Sequence, residues 1–210
     1  MEINYEELKK VSANVSSYPS ASLLLVTKNR PLTLIKSLIE NGYLLFGENR
    51  VQEAKEKFSN LGDYNFNLHL IGPLQTNKVK LALSIFDTIQ SIDRPKLVKE
   101  ISKLIKLNNK IKTKNYFIQV NIGAEAQKAG TSVSDTIDLY NYAISENLNI
   151  TGLMCIPPLD ETPNSYFKKM IELRDHINPK LILSMGMSND YEIALSFQSD
   201  LVRVGSRIFK

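Results

Sequence analysis

A chain of 210 residues, 43% hydrophobic and 23% charged, suits one sizeable core, so residues 1–210 are read as a single domain. The 26 basic and 22 acidic residues are dispersed, which places the net charge of +4 on solvated helix faces and excludes the concentrated basic stripe of a nucleic-acid footprint. The acidic start Met1-Glu2-Ile3-Asn4-Tyr5-Glu6-Glu7 is unlike a signal peptide and no apolar run reaches membrane-span length, so a cytoplasmic protein with no membrane and no nucleic-acid partner is expected.

In chain order, an amphipathic helix over Tyr5 to Val15 comes first, placed to close the floor of a barrel. Short runs rich in branched apolar residues then predict strands at Ser22 to Lys28, Tyr43 to Gly47, Asn67 to Gly72, Thr88 to Ile92, Asn115 to Ile122, Ile150 to Ile156, Leu181 to Met185 and Leu201 to Val204. Between them, Pro31 to Asn41, Arg50 to Leu61, Pro95 to Leu107, Asp135 to Glu146, Thr162 to His176 and Asp190 to Phe197 carry helical spacing, with Pro31, Pro95 and Pro163 near helix starts where a missing N–H costs little. Eight such units in this length predict an α/β fold, a single TIM-type (β/α)₈ barrel with an extra N-terminal helix, rather than an open doubly wound sheet. After the last strand, Gly205 to Lys210 is too short for a closing helix, which predicts a barrel that binds its ligand alone, as a monomer.

The active face of such a barrel is the C-terminal end of its strands, where Lys28, Glu48, Asn49, Asp93, Arg94, Asn121, Ser184 to Ser188 and Arg203 to Ser206 fall. Lys28 ends Leu23-Leu24-Leu25-Val26-Thr27-Lys28, where burial would lower the amine pKa towards the nucleophilic form a Schiff base requires; an exposed loop lysine fits the position equally. Leu183-Ser184-Met185-Gly186-Met187-Ser188-Asn189-Asp190, with a glycine, a hydroxyl and a helix start, and Arg203-Val204-Gly205-Ser206 give small-residue turns after strands seven and eight, the usual phosphate position in these barrels, although either alone reads as an ordinary turn with an N-cap serine. Arg203, between Val202 and Val204, should point inward to a bound anion or ring nitrogen, or else to an ion pair with Glu48 or Asp93. Gly47-Glu48-Asn49 and Gly72 to Lys78 place polar groups at the rim. His69 reads as a hydrogen-bonded core residue and His176 as a surface one. The single cysteine, Cys155, excludes an internal disulfide and reads as a small buried hydrophobe, a catalytic thiol being the alternative. No metal-ligand spacing, dinucleotide or P-loop motif, or nucleophile elbow occurs, so no metal is expected.

Leu25-Val26-Thr27-Lys28, Phe46-Gly47-Glu48-Asn49-Arg50-Val51-Gln52-Glu53 and His69-Leu70-Ile71-Gly72-Pro73-Leu74-Gln75-Thr76-Asn77-Lys78 together resemble the pyridoxal phosphate homeostasis proteins, the YggS and PROSC family. Ser91-Ile92-Asp93-Arg94, Gly152-Leu153-Met154, Leu183-Ser184-Met185-Gly186-Met187-Ser188 and Val202 to Phe209 extend the likeness over nearly the whole chain. The resemblance implies a barrel similar to the N-terminal domain of alanine racemase, with pyridoxal 5'-phosphate as a Schiff base on Lys28. Ser188, Gly205 and Ser206 would hold the phosphate, Arg203 would face the pyridine nitrogen, and Asn49 would sit by the ring. Lys128 matches a further lysine near the family's site. Two departures stand out: Arg50 replaces a common aromatic, and the early stop after Phe209 would loosen barrel closure.

An arginine beside the ring nitrogen disfavours its protonation and makes the bound ring a poor electron sink. A cofactor carrier serving vitamin B6 homeostasis, with no catalytic residue and with pyridoxal phosphate-dependent apoenzymes as recipients, is therefore the expectation. The competing readings are an amino-acid racemase using Lys28 as base, with Tyr191 near the Met185 to Ser188 turn, and an aldolase-like barrel acting on a phosphorylated sugar.

Overall fold

The computed structural model describes residues 2–62, 64–107, 110–158 and 163–210. Eight parallel strands close into a barrel in chain order: β1 (Ser22–Val26), β2 (Leu45–Glu48), β3 (Asn67–Leu70), β4 (Thr88–Ile92), β5 (Asn115–Val120), β6 (Ile150–Cys155), β7 (Ile182–Met187) and β8 (Leu201–Val204). The seam is firm, with β1 and β8 paired from Ser22↔Leu201 to Leu25↔Val204. Strand alternation sorts the side chains. Leu23, Leu25, Val202, Val204, Leu153 and Cys155 face outward into the mantle beneath the helices. Leu24, Phe117, Met154 and Leu201 form a separate small cluster inside the barrel.

The helices are α1 (Tyr5–Ser16), α2 (Leu32–Glu40), α3 (Val51–Phe58), α4 (Val79–Ile85), α5 (Pro95–Lys106), α6 (Thr136–Ser145), α7 (Asn164–Ile177) and α8 (Tyr191–Ser196). Seven of them follow strands, and α1 supplies the eighth. It packs on β1 through buried Leu8, Val11 and Val15. Tyr5 Oη lies 2.6 Å from Ser37 Oγ on α2, and Asn14 Nδ2 donates to Tyr191 Oη of α8 at 3.4 Å. The expected floor helix is therefore a member of the outer ring, in the gap that a helix after β8 would fill.

This arrangement also overturns the expected loosening of closure by the short C-terminal segment. Ile3 and Phe209 form an antiparallel bridge, Glu2 and Lys210 exchange both backbone hydrogen bonds at 3.1 Å, and Asn4 N–H donates to the Ile208 carbonyl at 2.8 Å. Phe209 is buried. The ends of the described chain hold each other against the barrel.

Other differences are local. The segment after β3, read as a polar turn, contains a short 3₁₀ turn (Thr76–Lys78) and then α4. Its buried Val79, Ala82 and Leu83 have helical spacing, but seven residues are too few for periodicity to stand out. β7 runs on to Met187 because a register shift between Ser184 and Met187 absorbs Gly186, whose φ of +90° suits glycine. Thr162, the expected start of the seventh helix, lies outside the described residues. Among the described residues no helix is long and apolar enough to cross a membrane.

Candidate functional site

The C-terminal mouth of the barrel opens into a cavity of about 580 Å³, and Lys28, Asn49, Ser188, Arg203, Gly205 and Ser206 all line it. They come from the ends of β1, β2, β7 and β8, two neighbouring pairs of strands that the closed sheet makes contiguous.

Lys28 reaches the cavity by the same alternation that turns Leu24 and Val26 inward. β1 ends at Val26, however, and Lys28 occupies the following turn, exposed to solvent. The burial expected of its amine is not found, since water reaches the side chain. The turn itself is pinned from outside the barrel. Asn29 adopts a left-handed φ of 58° and donates its N–H to Glu53 Oε1 at 2.5 Å. Lys57 Nζ donates to the Thr27 carbonyl at 2.8 Å and pairs with Glu53 at 2.8 Å and Glu48 at 2.6 Å. Thr27 Oγ1 completes the cluster with a 2.7 Å hydrogen bond to Glu48 Oε1.

Glu48 is thus not at the rim. Leu45 belongs to the barrel-interior cluster and Phe46 to the mantle, so Glu48 takes the outward side, fully buried against α3. Burial pushes its carboxyl pKa up, while Lys57 and Thr27 pull against that shift. Burial also works against the Glu53 carboxylate, but the hydrogen bonds from Lys57 and Asn29 outweigh it and hold its pKa below the ordinary value.

Arg203 faces inward as expected and is 3% exposed. Neither expected ion pair forms: Glu48 is with Lys57 and Asp93 with Arg94. Instead Nη1 donates to the Ser184 carbonyl at 2.7 Å and to Ser184 Oγ at 2.8 Å. Nη2 donates to the Cys155 carbonyl at 2.7 Å. Burial lowers its pKa, yet a guanidinium starts so high that it remains a cation and a pure donor.

At the small-residue end, Ser188 Oγ accepts the Gly205 N–H at 3.2 Å, which ties the two turns together. Gly205 has no space for a side chain, since an added Cβ would lie 2.9 Å from the Val26 carbonyl oxygen. Asn189 and Asp190, at the end of the expected anion-binding run, also line the cavity, as does Arg30, which escaped the sequence reading. Arg30 stacks on Phe209 at 5.0 Å; its signal was alternation carried two residues past Lys28. Asp190 Oδ1 accepts the Met187 N–H at 2.6 Å.

The remaining candidates stand away from the cavity. Asn121 closes its own loop through Glu125, and Lys128 Nζ donates to the carbonyl of the lining residue Pro157 at 3.0 Å without lining the cavity itself. Tyr191 is 3% exposed and turned to α1 and Arg207. Cys155 is fully buried, and burial pushes its thiol pKa up to about 12, as suits an inert core residue.

Fold and site together define a parallel (β/α)₈ barrel whose C-terminal mouth combines an exposed lysine, a buried arginine and two small-residue turns. No family model matches the chain. It is 38% identical over 198 residues to a pyridoxal phosphate homeostasis protein of Aquifex aeolicus, covering 90% of this chain and 86% of that one. Among solved structures it is similar to PipY of Synechococcus elongatus, both without pyridoxal phosphate (32% identical, TM-score 0.87) and with it bound (30%, 0.84), covering 98% of this chain and 99% of PipY in each case. An alanine racemase of Clostridium difficile shares the fold at 15% identity and a TM-score of 0.75, over 98% of this chain and 57% of the racemase. The chain belongs to the pyridoxal phosphate homeostasis protein family.

Proposed function

We propose that residues 1–210 act as one unit that holds pyridoxal 5'-phosphate as a Schiff base on Lys28 and serves vitamin B6 homeostasis in the cytoplasm, as a monomeric carrier without dedicated catalysis. The observation that carries this reading is the meeting of Lys28, Arg203 and the Ser188–Gly205–Ser206 turns around one cavity. The donor set suits a phosphate, with two hydroxyls and tightly packed backbone. Asn49 Oδ1, buried there without a hydrogen-bond partner, suits a ring substituent able to donate to it.

When bound, the cofactor supplies an electrophilic aldehyde and a conjugated ring. Lys28 supplies the amine, on a turn that solvent and other molecules can reach. Arg203, a buried cation and pure donor, would disfavour a proton on the ring nitrogen and so limit carbanion stabilisation. An accessible lysine and a weakly activated ring would favour holding and release, with pyridoxal phosphate-dependent apoenzymes as recipients.

The racemase reading needs a second acid or base across the cavity. No tyrosine, histidine or cysteine lines it among the described residues, and Asp190, the one carboxylate among them, is committed to Met187. The test is borohydride reduction of the protein mixed with pyridoxal phosphate, followed by peptide mass analysis. The label should fall on Lys28; label on Lys78 or Lys128 alone would sink the assignment.

A further inference from the structure

Beneath the cavity, a line of buried polar side chains crosses the barrel interior from β8 to β3. We propose that Ser184, Gln90 and His69 are positioning residues for Arg203, a directed hydrogen-bond relay that fixes the orientation of its guanidinium. The proposal rests on the reading that Arg203 faces the ring nitrogen of bound pyridoxal phosphate.

The direction is set by donor chemistry. A guanidinium only donates, so Ser184 Oγ must be the acceptor of Arg203 Nη1 at 2.8 Å. The Ser184 hydroxyl hydrogen then goes onward to Gln90 Oε1 at 2.7 Å. With its oxygen engaged, the Gln90 amide presents Nε2 to His69 Nδ1 at 2.7 Å. His69 therefore accepts at Nδ1 and carries its proton on Nε2. Turning the Gln90 amide over would point its N–H groups at Ser184 Oγ, already an acceptor for Arg203, and strand the Ser184 hydroxyl hydrogen without the oxygen that now accepts it. In an interior as dry as this one, such a mismatch is costly.

Burial supports the assignment. Gln90 and Ser184 have no exposed surface, and His69 is 7% exposed with Phe117 set edge-on at 6.4 Å. Desolvation, opposed by the charge of Asp87, takes the His69 pKa down to about 4, so the ring stays neutral and the relay keeps one direction at ordinary pH. The carbonyls of Ser184 and Cys155 anchor two edges of the guanidinium. The relay adds the side-chain acceptor that sets its rotation relative to the cavity.

Two nitrogen-15 NMR measurements test this. In the protein without cofactor, the His69 ring should report the Nε2–H tautomer, and Ser184→Ala should mix the two tautomers by releasing Gln90. With ring-labelled pyridoxal phosphate trapped on Lys28, Gln90→Leu should shift the ring-nitrogen resonance and weaken cofactor affinity about five-fold, the equivalent of one hydrogen bond. Gln90→Glu, which restores the acceptor for Ser184, should recover most of both. A ring-nitrogen resonance unmoved by Gln90→Leu, with only thermal stability reduced, overturns the proposal, as does an Nδ1–H tautomer at His69. Should Gln90→Leu fail to fold, Gln90→Glu and the cofactor-free His69 measurement decide it. Loss of label from Lys28 would instead defeat the functional reading, while the cofactor-free measurement still judges the relay.

Discussion

Two cations face the same cavity and are held in opposite ways. Lys28 is exposed, stands on a turn beyond its strand, and is steadied indirectly by Lys57, Glu48 and Glu53 outside the barrel. Arg203 is buried within its strand, with both Nη1 and Nη2 donating to barrel carbonyls and to Ser184 inside. On the proposed function, a lysine that makes and breaks a covalent bond needs access and freedom, whereas an arginine that only biases a ring nitrogen needs a fixed direction. The fold meets the first need with a clamped loop and the second with the packed interior.

The largest expected effect separates the two. Arg203→Leu strands the Ser184 and Cys155 carbonyls and the Ser184 hydroxyl in the interior, which should cost about 4 kcal/mol and lower the melting temperature by roughly 10 °C for a chain of this size. Lys28→Ala removes an exposed side chain, so stability should change by no more than about 0.5 kcal/mol while all borohydride-trappable cofactor is lost. Calorimetry of both variants without cofactor checks this. Equal losses of stability would erase the distinction.

The interior relay should also make stability depend on pH in a way the clamp does not. His69 has a folded pKa of about 4 against an ordinary value of 6.5, so the unfolded chain takes up a proton first on acidification. Its stabilising contribution is complete above pH 6.5, falls as pH drops from 6.5 towards 4, and is then spent, a loss of about 3 kcal/mol. Urea titrations across that window should show the slope in the parent and lose it in His69→Phe, whose starting stability is lower. An unchanged slope would assign the acid sensitivity to other groups.

Much of this architecture was legible in the sequence, for reasons that also explain why some of it was not. Fully buried parallel strands write themselves as apolar runs, so the strand order and the barrel follow from periodicity, and the small-residue turns after β7 and β8 stand out because few other residues fit there. Glu48 was misplaced because its side depends on counting from Leu45, and a one-residue shift of the strand reverses every side chain. Gln90 gave no signal at all: a glutamine in Thr88 to Ile92 looks like a solvent-facing residue until closure brings β4 opposite β7 and β8. The clamp was half visible, as Glu53 and Lys57 spaced four apart on α3, but their target in the turn after β1 is a tertiary fact. The place of α1 required knowing that, among the described residues, no helix follows β8 to sit between α8 and α2.

A smaller loss of stability than those at Arg203 and His69 tests the clamp. Lys57→Met removes the cation that bridges Glu48, Glu53 and the Thr27 carbonyl, yet leaves the methylene stem to fill the space. Glu48 is buried and its carboxyl pKa is already pushed up, so it can answer by taking a proton while keeping the Thr27 hydrogen bond. That escape limits the cost to about 2 kcal/mol, below the usual loss on breaking a buried pair. The cavity lining is untouched, since neither Lys57 nor Glu48 belongs to it. The rate of covalent capture by Lys28 should nonetheless fall several-fold, because the turn from Thr27 to Asn29 loses its hold from α3 and Lys28 samples orientations away from the cavity. Stopped-flow absorbance after mixing with pyridoxal phosphate measures this. Lys57→Arg, which retains the charge and the donors, should restore most of the rate. A capture rate equal to the parent's in Lys57→Met, alongside the same loss of stability, would reduce the cluster to packing support and leave the turn after β1 to hold Lys28 unaided.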